Sequence, residues 1–213
     1  MRPPDPVRLA PAAGRPVNFR LGFSLARGMR VGLYGGSFNP PHEGHAHVAR
    51  VALRRLGLDR VIWLVSPGNP LKGEAGASLD ARLALVKRLA SEPRMIVSDL
   101  ERRIGARYTL DTVRALKARF AGVQFVWIMG ADSLANFHAW RGWARLMREV
   151  PVAVISRPNV ATESRLSPAA RRFAAARLAS TAARNLSRRP APAWVWLNGP
   201  LHSASSTALR EAT

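Results

Sequence analysis

The stretch Val31–His45, VGLYGGSFNPPHEGH, constrains the fold of this chain more than any other part of the sequence. It begins as a short apolar strand, turns at Gly35-Gly36, bends at Pro40-Pro41 and ends where a helix can start. Glycines allow a sharp turn and let a ligand approach the backbone closely. His42 and His45 are three residues apart, so they share one face if Pro41 opens a helical turn. Because a helix N-terminus presents N–H groups and a positive dipole, the stretch predicts a phosphate-binding turn.

The remainder of the chain alternates between strand and helix patterns, which predicts a parallel α/β sheet. Ligands bind at the carboxyl edge of such sheets, where the glycine turn falls. A basic, alanine-rich region over 168–186 is predicted to be helical. The predicted strands are Val31–Tyr34, Val61–Val65, Met95–Val97, Gln124–Met129, Val152–Ile155 and Trp194–Leu197; the other predicted helices are Glu43–Leu56, one capped by Ser78, one capped by Thr109 and one beginning at Ser205.

Length and composition favour one domain over residues 29–213, preceded by an extension over 1–28 that is rich in Pro, Arg and Ala. That extension lacks apolar periodicity, so we expect it either to be disordered or to reflect a mis-assigned start, with Met29 as the alternative first residue. The 213 residues contain no cysteine, which excludes disulfides and thiolate chemistry. No apolar run approaches the length of a membrane span, so we expect a protein without a membrane partner that acts in the cytoplasm.

The net charge of +20, carried by 33 basic and 13 acidic residues, attracts phosphorylated substrates and polyanions alike. A basic nucleic-acid-binding protein is therefore the alternative from a different functional class. The sequence has neither an aromatic-basic RNA signature nor a recognisable DNA-reading motif, which argues against specific nucleic-acid binding. Much of the charge lies in residues 157–190, whose role the sequence leaves open, as it does the oligomeric state.

Three motifs resemble one known family. GGSFNPPHEGH resembles the (H/T)xGH signature of nucleotidyltransferases, and it is closest to the GGSFDPxHxGH form of the nicotinate-nucleotide adenylyltransferases, with Asn39 in the aspartate position. SSTALR at 205–210 resembles that family's ISSTxIR motif. GADSLANFHAW at 130–140 resembles its GADxLxxFxxW segment. The resemblance implies a Rossmann-like, doubly wound parallel sheet of the nucleotidyltransferase type.

The resemblance also implies a site, in which His45, His42 and Arg210 would be catalytic. Mg²⁺ would arrive on the triphosphate, so no metal site is expected in the protein itself. The positions implied for ATP are Gly35, Gly36, Ser37, Phe38, His42, His45, Gly130, Asp132, Ser205, Ser206 and Arg210. Those implied for nicotinate mononucleotide are Asn39, Lys72, Tyr108, Thr109, Trp140, Arg141 and Arg157. Trp143 is a second candidate for stacking on the pyridine ring.

The reaction implied is adenylyl transfer from ATP to nicotinate mononucleotide, which gives deamido-NAD and pyrophosphate. A sister adenylyltransferase that uses nicotinamide mononucleotide or phosphopantetheine would share the first motif, and is the alternative within the same class. The GADSLANFHAW segment and the order of the motifs favour the nicotinate enzyme.

Overall fold

The computed structural model describes residues 18–68, 77–156 and 164–199. The described residues form seven strands, all paired in parallel, with helices on both faces of the sheet. The strands are β1 (Arg30–Gly36), β2 (Arg60–Val65), β3 (Met95–Ser98), β4 (Gln124–Gly130), β5 (Val152–Ser156), β6 (Arg177–Leu178) and β7 (Trp194–Asn198). The α-helices are α1 (Glu43–Arg55), α2 (Leu79–Leu89), α3 (Leu100–Ile104), α4 (Thr109–Arg119), α5 (Ala131–Ala135), α6 (Trp143–Glu149) and α7 (Pro168–Arg172).

The strand order is β3-β2-β1-β4-β5-β7-β6, which confirms the predicted doubly wound sheet. The chain proceeds outward from β1 to β3 on one side and then returns to continue from β4 on the other. The switch in direction therefore falls between β1 and β4. Ligands of open α/β sheets bind at such a point, beyond the carboxyl ends of the strands. The turn after β1 and the turn after β4 both lie there.

Two apolar cores hold the helices against the sheet. Helices α1 and α2 cover one face, where Val48 and Leu53 of α1 pack against β-strand residues such as Ile128. Helices α3 to α7 cover the opposite face, which is built around Trp127 and Phe137. Because the strands are buried on both faces, they are continuous apolar runs, as expected of a parallel sheet.

The last part of the predicted extension belongs to the folded domain, contrary to the expectation of disorder across 1–28. Leu21 is buried in the core, and the ring of Phe19 meets that of Phe120 edge-on at 6.3 Å. The Arg103 guanidinium donates hydrogen bonds to the backbone carbonyls of Asn18 and Arg20, at 3.0 and 2.7 Å. The alternation of Phe19, Leu21, Phe23 and Leu25 is the apolar signal for this packing. We therefore place these residues within the domain.

The sequence predicted a helical region over 168–186, but the structure divides it into several short elements. Helix α7 ends at Arg172, a 3-10 turn covers Ala174–Ala176, and Arg177–Leu178 forms the short edge strand β6. The 3-10 segment Ser180–Arg188 follows. Alanine favours helix but does not decide it here, because β7 offers an open edge with which the chain can pair.

Two arginines, Arg165 and Arg177, stack on tryptophans of β7. The Arg177 guanidinium lies 5.4 Å from the Trp194 ring centroid, and that of Arg165 lies 5.0 Å from that of Trp196. Part of the excess charge therefore covers aromatic surface at the edge of the sheet. In the three described ranges, we find no helix with the length and apolar character needed to span a membrane.

Candidate active site

The turn at the end of β1 is shaped by close contact between Gly35 and Trp127. A Cβ atom at Gly35 would lie 2.2 Å from Cη2 of the Trp127 ring, which is far inside van der Waals contact. Only glycine fits there, so the β1 backbone lies directly on an indole contributed by β4. This contact joins the two strands that flank the switch point, and it fixes the position at which the Gly35-Gly36 turn begins.

His42 and His45 form a capping box at the start of α1. Nδ1 of His42 accepts a hydrogen bond from the Gly44 N–H at 3.1 Å, and Nδ1 of His45 accepts one from the His42 N–H at 3.2 Å. The box normally uses Ser or Thr with Glu or Gln, but here two imidazoles perform both parts. A ring nitrogen that accepts a hydrogen bond carries no proton, so the neutral form of each ring has its proton on Nε2. Each histidine is thereby held as an Nε2–H donor.

The two imidazoles lie close together, with ring centroids 3.9 Å apart. Phe38 supports His45 from below, edge-on, at 5.1 Å. The Phe38 ring is itself buried against Tyr34 and Trp63, at centroid distances of 5.3 and 5.2 Å. Only the backbone of Phe38 is therefore available to a nucleotide. Its φ of +47° places a bulky residue in the left-handed region, which costs about 1–3 kcal/mol and is found mainly at functional sites.

A second group of predicted residues lies at the start of α4. The N-cap is Tyr108, and Thr109 is the first helical residue, so the prediction that Thr109 caps this helix was wrong. Tyr108 has an extended backbone and no side-chain capping bond, and its carbonyl accepts from the Asp111 N–H at 3.0 Å. The first N–H groups of the helix are donors that its own ladder does not use. They form a place where a carboxylate can bind.

The segment after Phe137 is held against α4. Gly142 has φ of +75°, and a Cβ there would lie 2.9 Å from Cδ2 of Leu110. The Arg141 guanidinium lies 4.8 Å from the Tyr108 ring centroid and donates to its hydroxyl at 3.1 Å. The structure thus brings together Tyr108, Thr109, Trp140 and Arg141, which are predicted for the same substrate.

The two tryptophans of this segment have different surroundings. Trp140 is half-buried and meets Trp127, the residue beneath Gly35, at 6.4 Å, and Phe137 at 5.3 Å. Trp143 lies between Phe137 and Phe173, and the Arg172 guanidinium covers its ring at 5.4 Å. Trp140 is therefore the one connected to the Gly35-Gly36 turn, through Trp127, while Trp143 of α6 packs against Phe173 at the end of α7.

Two further predicted positions lie at the same edge of the sheet. Gly130 ends β4 and caps α5, and Asp132 follows in the first turn of that helix with its side chain exposed. The Asn39 Oδ1 atom accepts a hydrogen bond from the Ala77 N–H at 3.4 Å, which links the loop after β1 to the start of α2. Five other predicted site residues lie outside the described ranges: Lys72, Arg157, Ser205, Ser206 and Arg210.

Sequence reasoning missed Arg82, which lies in α2 on the same face as Leu79 and Val86. Its guanidinium is buried and donates to four backbone carbonyls around the β1 and β2 turns. An arginine within an apolar stripe was the available signal. Glu101 is a second buried charged residue, and it accepts a hydrogen bond from the Thr112 hydroxyl at 3.2 Å. Burial raises the pKa of Glu101 to about 7.

A glycine turn, two neighbouring Nε2–H imidazoles and a helix N-terminus lie together at the switch point of a doubly wound sheet. This combination defines a nucleotidyltransferase of the HxGH class. The cytidylyltransferase-like family model matches residues 33–212 and agrees with that class.

Relatives narrow the class further. A protein of Caulobacter sp. (strain K31) named probable nicotinate-nucleotide adenylyltransferase is 66% identical over 183 residues, which cover 85% of this chain and 97% of the relative. A protein of the same name from Cereibacter sphaeroides is 53% identical over 182 residues, 85% of this chain and 96% of the relative. The chain belongs to the nicotinate-nucleotide adenylyltransferase family.

A solved structure supports the fold. Nicotinic acid mononucleotide adenylyltransferase of Plasmodium falciparum, complexed with NaAD, matches with a TM-score of 0.64. The match covers 86% of this chain and 83% of that one, at 15% identity. At this identity the similarity speaks for the architecture alone.

Proposed function

We propose that this protein transfers the adenylyl group of ATP to nicotinate mononucleotide, giving deamido-NAD and pyrophosphate in the biosynthesis of NAD in the cytoplasm. The observation that carries the proposal is the paired His42 and His45 box at the switch point, together with a second wall made by Tyr108, Trp140 and Arg141, in which Trp140 meets the Trp127 ring beneath Gly35. The box suits a phosphoryl group, and the wall suits an aromatic ring with a negative charge.

The chemistry needs little beyond positioning and charge neutralisation. A 5′-phosphate oxygen of the mononucleotide attacks the α-phosphorus of ATP in line, a P–O bond forms, and the bond to the bridging oxygen breaks as pyrophosphate leaves. The nucleophile is already an anion, so no strong general base is required. The Nε2–H of His45, with His42 beside it, donates to the α-phosphate as charge develops there. Donors aimed at the transition state supply most of such catalysis.

The acceptor binds on this second wall. The N–H groups around Tyr108 and Thr109 hold the nicotinate carboxylate, and Trp140 stacks on the pyridine ring. Trp140 is preferred over Trp143 because Arg172 already covers the ring of Trp143. Arg141 adds positive charge from its position above Tyr108.

The remaining predicted residues complete the two substrates. Gly130 and Asp132 would hold the nucleotide ribose, and Asn39 would contact the mononucleotide. Lys72 and Arg157 are proposed for mononucleotide phosphate, and the 205–210 motif, with Ser205, Ser206 and Arg210, for the triphosphate. Mg²⁺ bound to ATP supplies further charge neutralisation. Among the described residues, no group of three or more His, Asp or Glu side chains is placed to hold a metal ion.

The test is product identification with ATP and three acceptors: nicotinate mononucleotide, nicotinamide mononucleotide and phosphopantetheine. We expect deamido-NAD and equimolar pyrophosphate with the first acceptor, and far lower turnover with the others. Faster turnover of either alternative acceptor would assign the chain to a sister activity. No pyrophosphate release with any acceptor would contradict the proposal as a whole.

A further inference from the structure

Arg82 is a buried charged side chain that forms a hydrogen bond directly to the catalytic turn, at the Ser37 carbonyl. It is 4% exposed, whereas most of its neighbours on α2 are exposed or half-buried. Burial lowers the pKa of its guanidinium, but arginine keeps its charge in proteins. A buried charge is costly unless it is well paired, so the structure around Arg82 must compensate for it.

The partners of Arg82 in the described residues are backbone carbonyls. Its Nη1 donates to Ser37 O at 2.6 Å and to Ser66 O at 2.8 Å. Its Nη2 donates to Pro67 O at 3.1 Å, and its Nε donates to Ala77 O at 3.1 Å. A rigid fork of five donors can reach several acceptors at once, and a lysine ammonium cannot reproduce that geometry.

These carbonyls belong to three separate segments that border the catalytic turn. Ser37 follows β1, Ser66 and Pro67 follow β2, and Ala77 precedes α2. Two further bonds join the same segments, from Ser66 N to Gly36 O at 3.0 Å and from Ala77 N to the Asn39 side chain. Arg82 therefore lies at the centre of a hydrogen-bond network that links all three segments and holds residues 36–39 in place.

The network leads directly to His45. Fixing the Ser37 carbonyl fixes the peptide plane between Ser37 and Phe38, and so the direction of the Phe38 N–H. Phe38 has the unfavourable φ of +47°, which persists only where the surroundings enforce it. The Phe38 ring then supports the His45 imidazole at 5.1 Å. The path from Arg82 to His45 thus consists of one hydrogen bond, one strained residue and one ring contact.

We propose that Arg82 is a positioning residue for adenylyl transfer: it holds the Ser37–Asn39 turn so that Phe38 sets the His45 imidazole in its working place, without touching either substrate. This inference rests on the proposed function. It differs from a purely architectural role, in which Arg82 would dock α2 and affect only the stability of the fold.

The test compares Arg82→Lys with Arg88→Lys, a matched change on the exposed side of the same helix. Each is assayed well below its melting temperature, with kcat and both KM values corrected for the folded fraction. We expect Arg82→Lys to lower kcat by about 10- to 100-fold, with smaller changes in KM, because small misplacement of a catalytic group is costly. Arg88→Lys should match the wild type. Normal kcat per folded molecule in Arg82→Lys would overturn the inference.

A double-mutant cycle distinguishes positioning from general damage. In a His45→Ala background, Arg82→Lys should lower kcat further by less than about threefold, because the two residues act as one unit. Equal fold-losses in both backgrounds would contradict the path through His45.

A second variant decides the matter if Arg82→Lys does not fold. Phe38→Leu removes the ring beneath His45 while keeping an apolar side chain, and should also lower kcat more than it raises KM. Unchanged kcat in Phe38→Leu would overturn the inference. Failure of the wild-type enzyme to make deamido-NAD would instead contradict the proposed function, so the two failures are distinguishable.

Discussion

The two walls of the candidate site are built in different ways. The phosphoryl wall comes from one continuous stretch, Val31–His45, in which neighbouring residues cap one another. The pyridine wall combines the start of α4 with the segment after Phe137, about thirty residues later, and tertiary contacts such as Arg141 on Tyr108 hold it together. The first wall is specified locally, and the second depends on packing. Substitutions in the phosphoryl wall should therefore lower kcat, whereas substitutions in the pyridine wall should weaken acceptor binding or lower stability.

The largest expected effect is on the phosphoryl wall. His45→Gln keeps a side-chain acceptor at the third helical position, as in an ordinary capping box, but it removes the imidazole ring and replaces its Nε2–H by an amide N–H in a different position. We expect kcat to fall by about 10²–10³-fold, the usual loss for one transition-state donor. The melting temperature should change little. Exposed His138→Gln is the control, and near-normal turnover in His45→Gln would remove His45 from the catalytic set.

The next prediction concerns the contact between Gly35 of the phosphoryl wall and Trp127, whose ring meets Trp140 of the pyridine wall. Gly35→Ala places a methyl group into the Trp127 ring and should destabilise the fold by about 3 kcal/mol, at the upper end for overpacking. Trp127→Phe in the same chain removes the clashing Cη2 atom and should restore part of the loss. Gly68→Ala is the control, because a Cβ there meets nothing within 4 Å. Urea unfolding of the four proteins measures the effect, and equal stability of Gly35→Ala and wild type would contradict the contact.

Much of the fold and part of the candidate site could be predicted from the sequence. The predictable features are those set by contacts between residues close together in the chain. The strands around Val31, Gln124 and Val152 and the histidine cap are specified by residues a few positions apart. Arg82 stands out in the sequence only as an arginine within an apolar stripe, and its role could not be assigned, since three of its four carbonyl partners lie 15 to 45 residues away. Trp127 beneath Gly35 was missed for the same reason. The strand at Arg177–Leu178 depends on the open edge of β7, which an alanine-rich sequence does not reveal.

Glu101 should make the pyridine wall sensitive to pH. Burial raises its folded-state pKa to about 7 from 4.5, so between these values the folded state holds a proton that the unfolded state releases. Stability is then fully present below pH 4.5 and is lost as the pH rises towards 7, by about 3 kcal/mol in all.

The measurement is the free energy of unfolding from pH 4.5 to 8, for the wild type and Glu101→Gln. The amide cannot ionise, so the difference between the two curves isolates the Glu101 carboxyl group. As the pH rises, the free energy of unfolding of Glu101→Gln should increase relative to that of the wild type. Parallel curves would mean that Glu101 titrates normally. Since Glu101 bonds to Thr112 in α4, the KM for nicotinate mononucleotide should follow the same pH range.

The smallest expected effect separates the two tryptophans. Trp140→Leu should raise the KM for nicotinate mononucleotide about tenfold and leave the KM for ATP nearly unchanged, because one ring-stacking contact is worth about 1–3 kcal/mol. Trp143→Leu should instead lower the melting temperature, as it removes packing between Phe137 and Phe173. The reverse pattern would assign the stacking position to Trp143.

The most direct test of the account is a competition between acceptors. The central claim is that the pyridine wall offers N–H donors to a carboxylate, whereas an amide would turn its own hydrogens towards them. Two unpaired buried donors, at about 1–3 kcal/mol each, correspond to about a hundredfold in kcat/KM. With ATP and equal concentrations of nicotinate and nicotinamide mononucleotide, deamido-NAD should exceed NAD by at least that factor. Comparable yields of the two dinucleotides would contradict the claim.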